Sequence, residues 1–260
     1  MKTTALITGA SRGIGAEFAK IFASRGSDLV LTARSENDLQ QLKDEIIQLY
    51  NVSVKIIVQD LSNTRNIDLL FDEVMRSGIH IDYLVNNAGF GDYAYFENSN
   101  WSRQQSMINL NISALVHLCH LFVKEWTGRK PGKILNVSST ASFQPGPGMS
   151  VYYATKAFVT SFSQALHYEL KKKGITVTAL CPGPTKSNFA EAASVHDSNK
   201  LLKNRKLPSS YEVAAYGYQA MMKGRAVAIH GNANRLLAFL VRFVPRKMMT
   251  MISAKVLEWK

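Results

Sequence analysis

Short β-branched runs alternate with longer amphipathic stretches along most of this 260-residue chain, and no other feature restricts its fold as tightly. Parallel neighbours in a sheet need a crossover of a dozen or more residues to return the chain to its starting end, and a helix supplies it. Strands are predicted at Thr3 to Thr8, Asp28 to Ala33, Val54 to Gln59, Tyr83 to Asn86, Lys133 to Ser138, Thr176 to Leu180 and Ala226 to His230. Helices are predicted near Gly13 to Ser24, Glu36 to Leu49, Arg65 to Arg76, Trp101 to Trp126, Val151 to Lys172 and Tyr211 to Met222. This order specifies an α/β fold, a doubly wound, parallel, seven-stranded sheet covered on both faces, in a single domain over residues 1–231. An apolar fraction of 46% is ample for its core.

Two segments fall outside the rhythm. Residues 184–208 are polar, basic near Lys200 to Lys206 and poor in strand signal, which predicts a long lid. It ends at Ser209 and Glu212, which have capping-box spacing for the next helix. The tail, residues 232–260, reads as a helical extension of the same domain. It sets Leu236, Leu237, Phe239, Leu240, Val241, Phe243, Met248, Met249 and Met251 among six basic residues and one acid, and Pro245 divides it into two short helices. Such an apolar, basic stripe can pack on its own or a partner subunit, cover a pocket entrance, or lie on an anionic membrane surface. Packing is the commonest of these.

The formal charge of +12 is scattered through the helices rather than gathered in one arm, which argues against nucleic acid and suits a strongly phosphorylated cofactor. Cys119 and Cys181 lie in apolar surroundings without metal-ligand spacing, as expected of a reduced, cytoplasmic protein. His117 and His120 are the one close histidine pair, and no carboxylate stands at matching spacing, so no metal site is expected. The first apolar run passes straight into a glycine loop and reads as a strand, not a signal peptide. No window reaches the roughly 18 uninterrupted apolar residues of a membrane span, so the chain is expected to be soluble.

That loop contains Gly9, Ser11, Arg12, Gly13, Ile14 and Gly15. It follows a strand and opens a helix, where backbone amides and the helix dipole can hold a pyrophosphate. Its G-x-x-x-G-x-G spacing lacks the Gly-Lys-Ser/Thr end of a Walker A loop. The second strand ends at Thr32-Ala33-Arg34 without the acid that would bond an adenosine 2′-hydroxyl. Arg34 and Arg12 would instead converge on a 2′-phosphate, with Ser35 as a further donor, so NADPH is expected over NADH.

A second constellation lies downstream. Tyr152 and Lys156 are four residues apart on a predicted helix, which puts both on one face. A phenol with a pKa near about 10 exchanges protons poorly at neutral pH unless a cation stabilises its phenolate, and Lys156 is that cation. Ser139 stands thirteen residues before Tyr152. Tyr153 has only Ala157 at its own i+4 position and is rejected as the acid.

The glycine loop, Asp60-Leu61, Asn86-Asn87-Ala88-Gly89, Asn111, Ser139, Tyr152, Lys156 and Pro182-Gly183, in this order, resemble the short-chain dehydrogenase/reductase family from about residue 3 to residue 190. Ala88-Gly89-Phe90-Gly91 and Cys181-Pro182-Gly183-Pro184-Thr185 are similar to a bacterial branch of that family, and more distantly to 3-oxoacyl-CoA and steroid ketone reductases. The resemblance implies a Rossmann-like domain and hydride transfer between a nicotinamide, here expected to be NADP(H), and a carbonyl or alcohol. It gives Tyr152 the acid role in reduction, Ser139 the hydrogen bond to the same oxygen, and Lys156 the nicotinamide ribose hydroxyls. Asn111, with Asn109 as its competitor, would hold a water linking Lys156 to solvent. Ser138 is read as a neighbouring support or strand-end cap. Asp60 would bond the adenine edge or cap the following helix, with Leu61 beneath the ring. Asn86 and Ala88, followed by Gly89, would line the adenosine ribose, while Asn87 ties neighbouring strands together. Pro182 and Gly183 would shape the turn beside the nicotinamide, with Thr185 or Ser187 on its carboxamide. Relatives pair through the helices that carry Asn111 and Tyr152, so a homodimer or homotetramer is implied.

The substrate pocket should lie above Tyr152, against Ser139 and between Phe90 to Tyr95, Phe143 to Met149 and the lid from Phe189 onward. Phe90, Phe143 and Met149 suit an apolar carbonyl: a 3-oxoacyl thioester, a steroid-like ketone or a xenobiotic aldehyde. The rival readings are a non-catalytic NADP-binding sensor or scaffold, and a peripheral membrane reductase directed to lipid by its tail.

Overall fold

Seven parallel strands form one sheet, β1 (Thr4–Thr8), β2 (Asp28–Ala33), β3 (Val54–Val58), β4 (Tyr83–Asn86), β5 (Lys133–Val137), β6 (Thr176–Cys181) and β7 (Val227–Ile229), in the order β3-β2-β1-β4-β5-β6-β7. The computed structural model describes residues 2–187, 189 and 207–257. Helices α1 (Gly13–Ser24), α2 (Glu36–Leu49), α3 (Arg65–Arg76), α4 (Trp101–Ile108), α5 (Leu115–Trp126), α6 (Ser150–Leu170) and α7 (Ser210–Met222) cover its faces. The chain winds outward from β1 to β3, then crosses to β4 on the other side of β1. A crevice opens at that reversal, beyond the carboxyl ends of β1 and β4.

Side chains alternate along each strand, so one strand feeds two cores. Ala5, Ile7, Leu29 and Leu31 face Phe18, Phe22, Leu39, Ile46 and Met221 on the side of α1, α2 and α7. Leu6, Val30 and Leu84 face Ile67, Leu118, Phe122, Trp126 and Val159 on the side of α3, α5 and α6. Each fully buried Leu or Phe contributes about 1.5–3 kcal/mol. Trp126 Nε1 donates to Ile81 O at 2.7 Å, which satisfies the indole inside the apolar layer.

The helix expected from Trp101 to Trp126 is interrupted by a π-helical turn at Asn109–Ala114, between α4 and α5. An 18-residue window within this 26-residue stretch has a mean hydropathy of 1.5, long and apolar enough to cross a membrane. Here Leu115, Leu118, Cys119, Phe122 and Trp126 are buried in the sheet-facing core. His117 does face a carboxylate: its Nε2 lies 3.2 Å from Asp68 Oδ1. Most of the expected lid, residues 188 and 190–206, lies outside the described residues. Its two ends are stapled, Lys186 N donating to Pro208 O and Ser210 Oγ to Lys186 O, both at 2.9 Å. The capping box at Ser209 and Glu212 forms as expected.

The tail makes α8 (Asn232–Leu240), a 3₁₀ turn at Val241–Phe243 and α9 (Arg246–Val256), with Pro245 immediately before α9. It is fastened to its own subunit. Asn234 Nδ2 donates to His230 O at 2.8 Å and Arg235 Nη2 to Tyr216 Oη at 2.8 Å. At the far end Tyr93 Oη donates to Leu257 O at 2.9 Å.

Candidate active site

The glycine loop leaves β1 at the crevice. Gly9 has φ +63°, and a Cβ there would lie 2.8 Å from Ala88 Cα, so a side chain is excluded on both counts. A Cβ at Gly15 would lie 2.2 Å from Gly9 O. Arg12 occupies the N-cap of α1 in extended conformation, and its side chain makes no capping bond. The amides of its first turn, Gly13, Ile14 and Gly15, with Ser11 just before them, therefore form an anion cradle of the kind a pyrophosphate fits. Asn87 locks this loop, its Nδ2 donating to Thr8 O and Gly9 O at 3.0 Å each. Thr8 Oγ1 accepts from the amides of Asn87 and Ala88, also at 3.0 Å. The strand-tying role expected of Asn87 is what these bonds perform.

Asn86 departs from expectation. It is buried, and its Nδ2 donates to Asn136 Oδ1 at 2.9 Å and Cys119 Sγ at 3.3 Å, so it joins β4 to β5 inside the protein instead of lining a ribose. The period of two in a strand turns it away from the crevice. Leu61 is likewise a core residue, packed with Ile67 and Leu70, and is too buried to lie beneath an adenine. Asp60 does reach the crevice. It lines a cleft of about 290 Å³ with Arg34, Ser62, Phe90, Arg103 and Leu110, while its Oδ1 accepts from Ser62 N and Oγ.

The expected convergence of two free arginines is also modified. Arg12 pairs with Asp38 in the first turn of α2, at 2.9 and 3.2 Å, and this guanidinium holds the Asp38 carboxyl below the usual range. Ser35 is occupied as the N-cap of α2, accepting from Asp38 N. Arg34 is the exposed cation on the cleft.

Tyr152 and Lys156 lie one turn apart on α6, both buried, at 7% and 5% exposure. The Ser139 hydroxyl lies near enough to the Tyr152 phenol to lower its pKa, and it accepts from Ala141 N at 3.1 Å, at the start of a 3₁₀ turn, Thr140–Phe143. Ser138 points elsewhere: it donates to Lys156 O at 2.8 Å and meets Thr160 Oγ1 at 2.7 Å, fastening α6 to the end of β5. Lys156 Nζ donates to Val137 O at 2.9 Å and sits 5.8 Å from the Tyr152 ring centre.

Electrostatically, burial dominates this cluster. It pushes the Tyr152 phenol well above its ordinary range, with the nearby Ser139 hydroxyl pulling partly back. It also lowers Lys156 to about 8. The expectation that Lys156 depresses the phenol is thus outweighed, because the dry surroundings that raise the acid also weaken the cation. Burial raises Cys119 to about 12 and Cys181 as well, so neither thiol is activated.

Asn111 sits in the π turn and is 1% exposed. Its Oδ1 accepts from Phe90 N at 3.1 Å, and its Nδ2 donates to Phe90 O at 3.0 Å and Thr155 Oγ1 at 3.1 Å. Both donors are spent on clamping the Phe90 loop to α6, so the side chain is a brace rather than a free water ligand. Asn109 bonds elsewhere, to Ser62 O at 3.2 Å. Gly89 keeps this junction tight: a Cβ would approach Asn111 Oδ1 to 2.9 Å and Lys156 Nζ to 3.4 Å. Pro182 O accepts from Thr140 N at 2.8 Å, Gly183 lies under Asn234 of α8, and Thr185 Oγ1 donates to Gly183 O at 2.9 Å.

Phe90, Tyr93, Met107, Met149 and Phe189 gather around Tyr152. Phe189 lies closest over the phenol, its ring centre 5.3 Å away. Phe143 is not part of this cluster; its 3₁₀ turn packs against α8. The sequence reading passed over Asp92, buried beside this wall, which accepts from Arg103 Nε at 2.6 Å and Gln104 Nε2 at 2.8 Å. Arg103 in turn lies 5.3 Å over the Phe90 ring. An Asp followed eleven residues later by Arg and Gln on a helix was the available signal.

The family model described as short chain dehydrogenase matches residues 3–197. The chain belongs to that family. A very-long-chain 3-oxoacyl-CoA reductase of Anas platyrhynchos is 35% identical over 220 residues, 82% of this chain and 67% of the relative. An inactive hydroxysteroid dehydrogenase-like protein 1 of Pongo abelii is 33% identical over 223 residues, 85% of this chain and 67% of the relative. A short-chain dehydrogenase from Sphingobium yanoikuyae, solved in complex with NADPH, superposes with a TM-score of 0.82 at 31% identity, covering 93% of this chain and 94% of that one.

Proposed function

We propose that the chain reduces the ketone of an apolar substrate with NADPH. The observation that carries this reading is the pair of buried Tyr152 and Lys156 one helical turn apart, with the Ser139 hydroxyl near the phenol, together with an α1 N-terminus that its N-cap side chain leaves open. The family's hydride chemistry supplies the other half of the reaction when the nicotinamide is bound. Ser139 orients the carbonyl oxygen, and Tyr152 delivers its proton to the alkoxide that develops there. A phenol raised by burial stays protonated at neutral pH, which suits the reduction direction. Lys156, held at Val137 O, steadies the phenolate left behind and has donors for the ribose hydroxyls. The π turn at Asn109–Ala114 disturbs the helical ladder beside Lys156 and offers backbone carbonyls for a returning proton relay.

Arg34, exposed on the cleft that Asp60 lines, supports a 2′-phosphate and hence NADPH. The NADPH in the Sphingobium neighbour agrees with this reading. Substrate class rests on the wall of Phe90, Met149 and Phe189 around the phenol and on the 3-oxoacyl-CoA reductase likeness, which together favour a long-chain or bulky ketone. A non-catalytic nucleotide binder is the second reading, since one similar relative bears the name inactive. Titration with NADPH and NADH, followed by turnover on 3-oxoacyl thioesters and bulky ketones, separates the two. The proposal expects NADPH preference that Arg34→Ala removes, together with turnover. Binding of NADPH without turnover on any of these ketones would favour the second reading.

A further inference from the structure

The tail presents its apolar residues in the wrong direction for a packed helix. On α9, Met249, Thr250 and Ser253 point inward, whereas Met248, Met251, Ile252 and Val256 are exposed. On α8, Ala238 is the buried residue, and Leu236, Leu237, Phe239 and Leu240 are exposed, with Phe243 at 70% just beyond. A helix on a globular surface ordinarily buries its apolar stripe, so this arrangement leaves a face that something else covers.

Charge selects what covers it. Between Glu212 and Glu258 the sequence has no acidic residue, while Arg235, Arg242, Arg246, Lys247 and Lys255 accompany the apolar face. A second copy meeting this face about a two-fold axis would set cations against cations with no acid between them. An anionic bilayer supplies both requirements, acyl chains for Phe239, Phe243 and Met251 and phosphates for the Arg and Lys heads, which can extend to the headgroup level. The same tail touches the rim of the candidate site at two places: Tyr93 bonds Leu257 O, and α8 packs on the 3₁₀ turn that follows Ser139.

We propose that residues 232–257 form a surface anchor that seats this protein on anionic lipid, with the rim of the candidate site turned toward the bilayer. The proposal reverses the expectation that the stripe is buried by packing, and it stands independently of whether the site turns over. The test is sedimentation of the full chain with phosphatidylglycerol vesicles and with phosphatidylcholine vesicles, at low and high salt. The expected result is pelleting with phosphatidylglycerol that falls at high salt, and weak pelleting with phosphatidylcholine. The double variant Phe239→Asp, Phe243→Asp should lower phosphatidylglycerol binding at least about tenfold while leaving NADPH affinity unchanged, and Arg246→Glu, Lys247→Glu should lower it on its own. Absence of pelleting, or equal pelleting with both lipids, overturns the proposal. So does a soluble oligomer that Phe239→Asp, Phe243→Asp dissolves without any effect on vesicles, since the face would then be an interface between copies.

Discussion

Replacing Lys156 with methionine should separate what the site needs for chemistry from what the fold needs for stability. The ammonium is buried and its pKa is lowered from 10.5 to about 8. A folded value below the unfolded one means that stability is highest where both states are neutral, above about pH 10.5, and is lost as pH falls toward about 8. The shift corresponds to about 3 kcal/mol at pH 7 and shrinks to about 1 kcal/mol by pH 10. Methionine is close in length and carries no charge, so Lys156→Met removes this pH-dependent penalty. It also deletes the 2.9 Å bond to Val137 O, a loss of about 1–3 kcal/mol that does not vary with pH. Urea denaturation of both proteins without nucleotide, at several values between pH 7 and pH 10, isolates the titrating part, because groups that do not interact with Lys156 cancel in the difference and Cys181, the neighbour that does, has a smaller effect on Lys156 than burial. The difference, variant minus wild type, should fall by about 2 kcal/mol across that range, and the variant should lose turnover. Parallel stability curves would show that Lys156 is not the buried, depressed base described here.

The remaining predictions concern the loop, the brace and the two serines. Gly15→Ala forces a Cβ into Gly9 O and should weaken NADPH binding by about five- to 150-fold, read by fluorescence titration, the equivalent of about 1–3 kcal/mol of strain. Asn111→Ala removes three hydrogen bonds and leaves Phe90 N and O unpaired, and should lower stability by about 2–4 kcal/mol in urea denaturation. Ser139→Ala should lower turnover by about 10²–10³-fold with little change in stability, whereas Ser138→Ala should lower stability by about 1–2 kcal/mol and leave turnover largely intact. A stability loss in Ser139→Ala with turnover retained would exchange the two roles.

The sheet was legible because its signal is one-dimensional. Strands buried on both faces read as continuous β-branched runs, and each expected strand forms to within a residue or two of its expected ends. Tyr152 and Lys156 were legible because helical spacing puts them on one face, and Ser139, two residues past the end of β5, was legible through the thirteen-residue spacing of the resemblance. What the sequence hid depends on pairing across the fold. Asp38 is invisible as the partner of Arg12 until α2 is placed beside the glycine loop. Asn86 and Asn87 are adjacent in sequence, and only the strand's alternation sends one inward to Asn136 and the other to Gly9 O. The π turn leaves no mark in composition, because an extra residue in a helix alters register without altering residue types. For the tail, the apolar content was plain, but which way it faces is set by Asn234 and Arg235 bonding outside α8 and by the loop residue Tyr93 bonding Leu257 O.

The central claim is that Tyr152 is the proton donor of an NADPH-dependent reduction. On any ketone that the wild type turns over, Tyr152→Phe should reduce kcat by about 10²–10⁴-fold while NADPH affinity, measured on the same preparation, stays unchanged. A Tyr152→Phe protein that keeps its kcat would contradict the account.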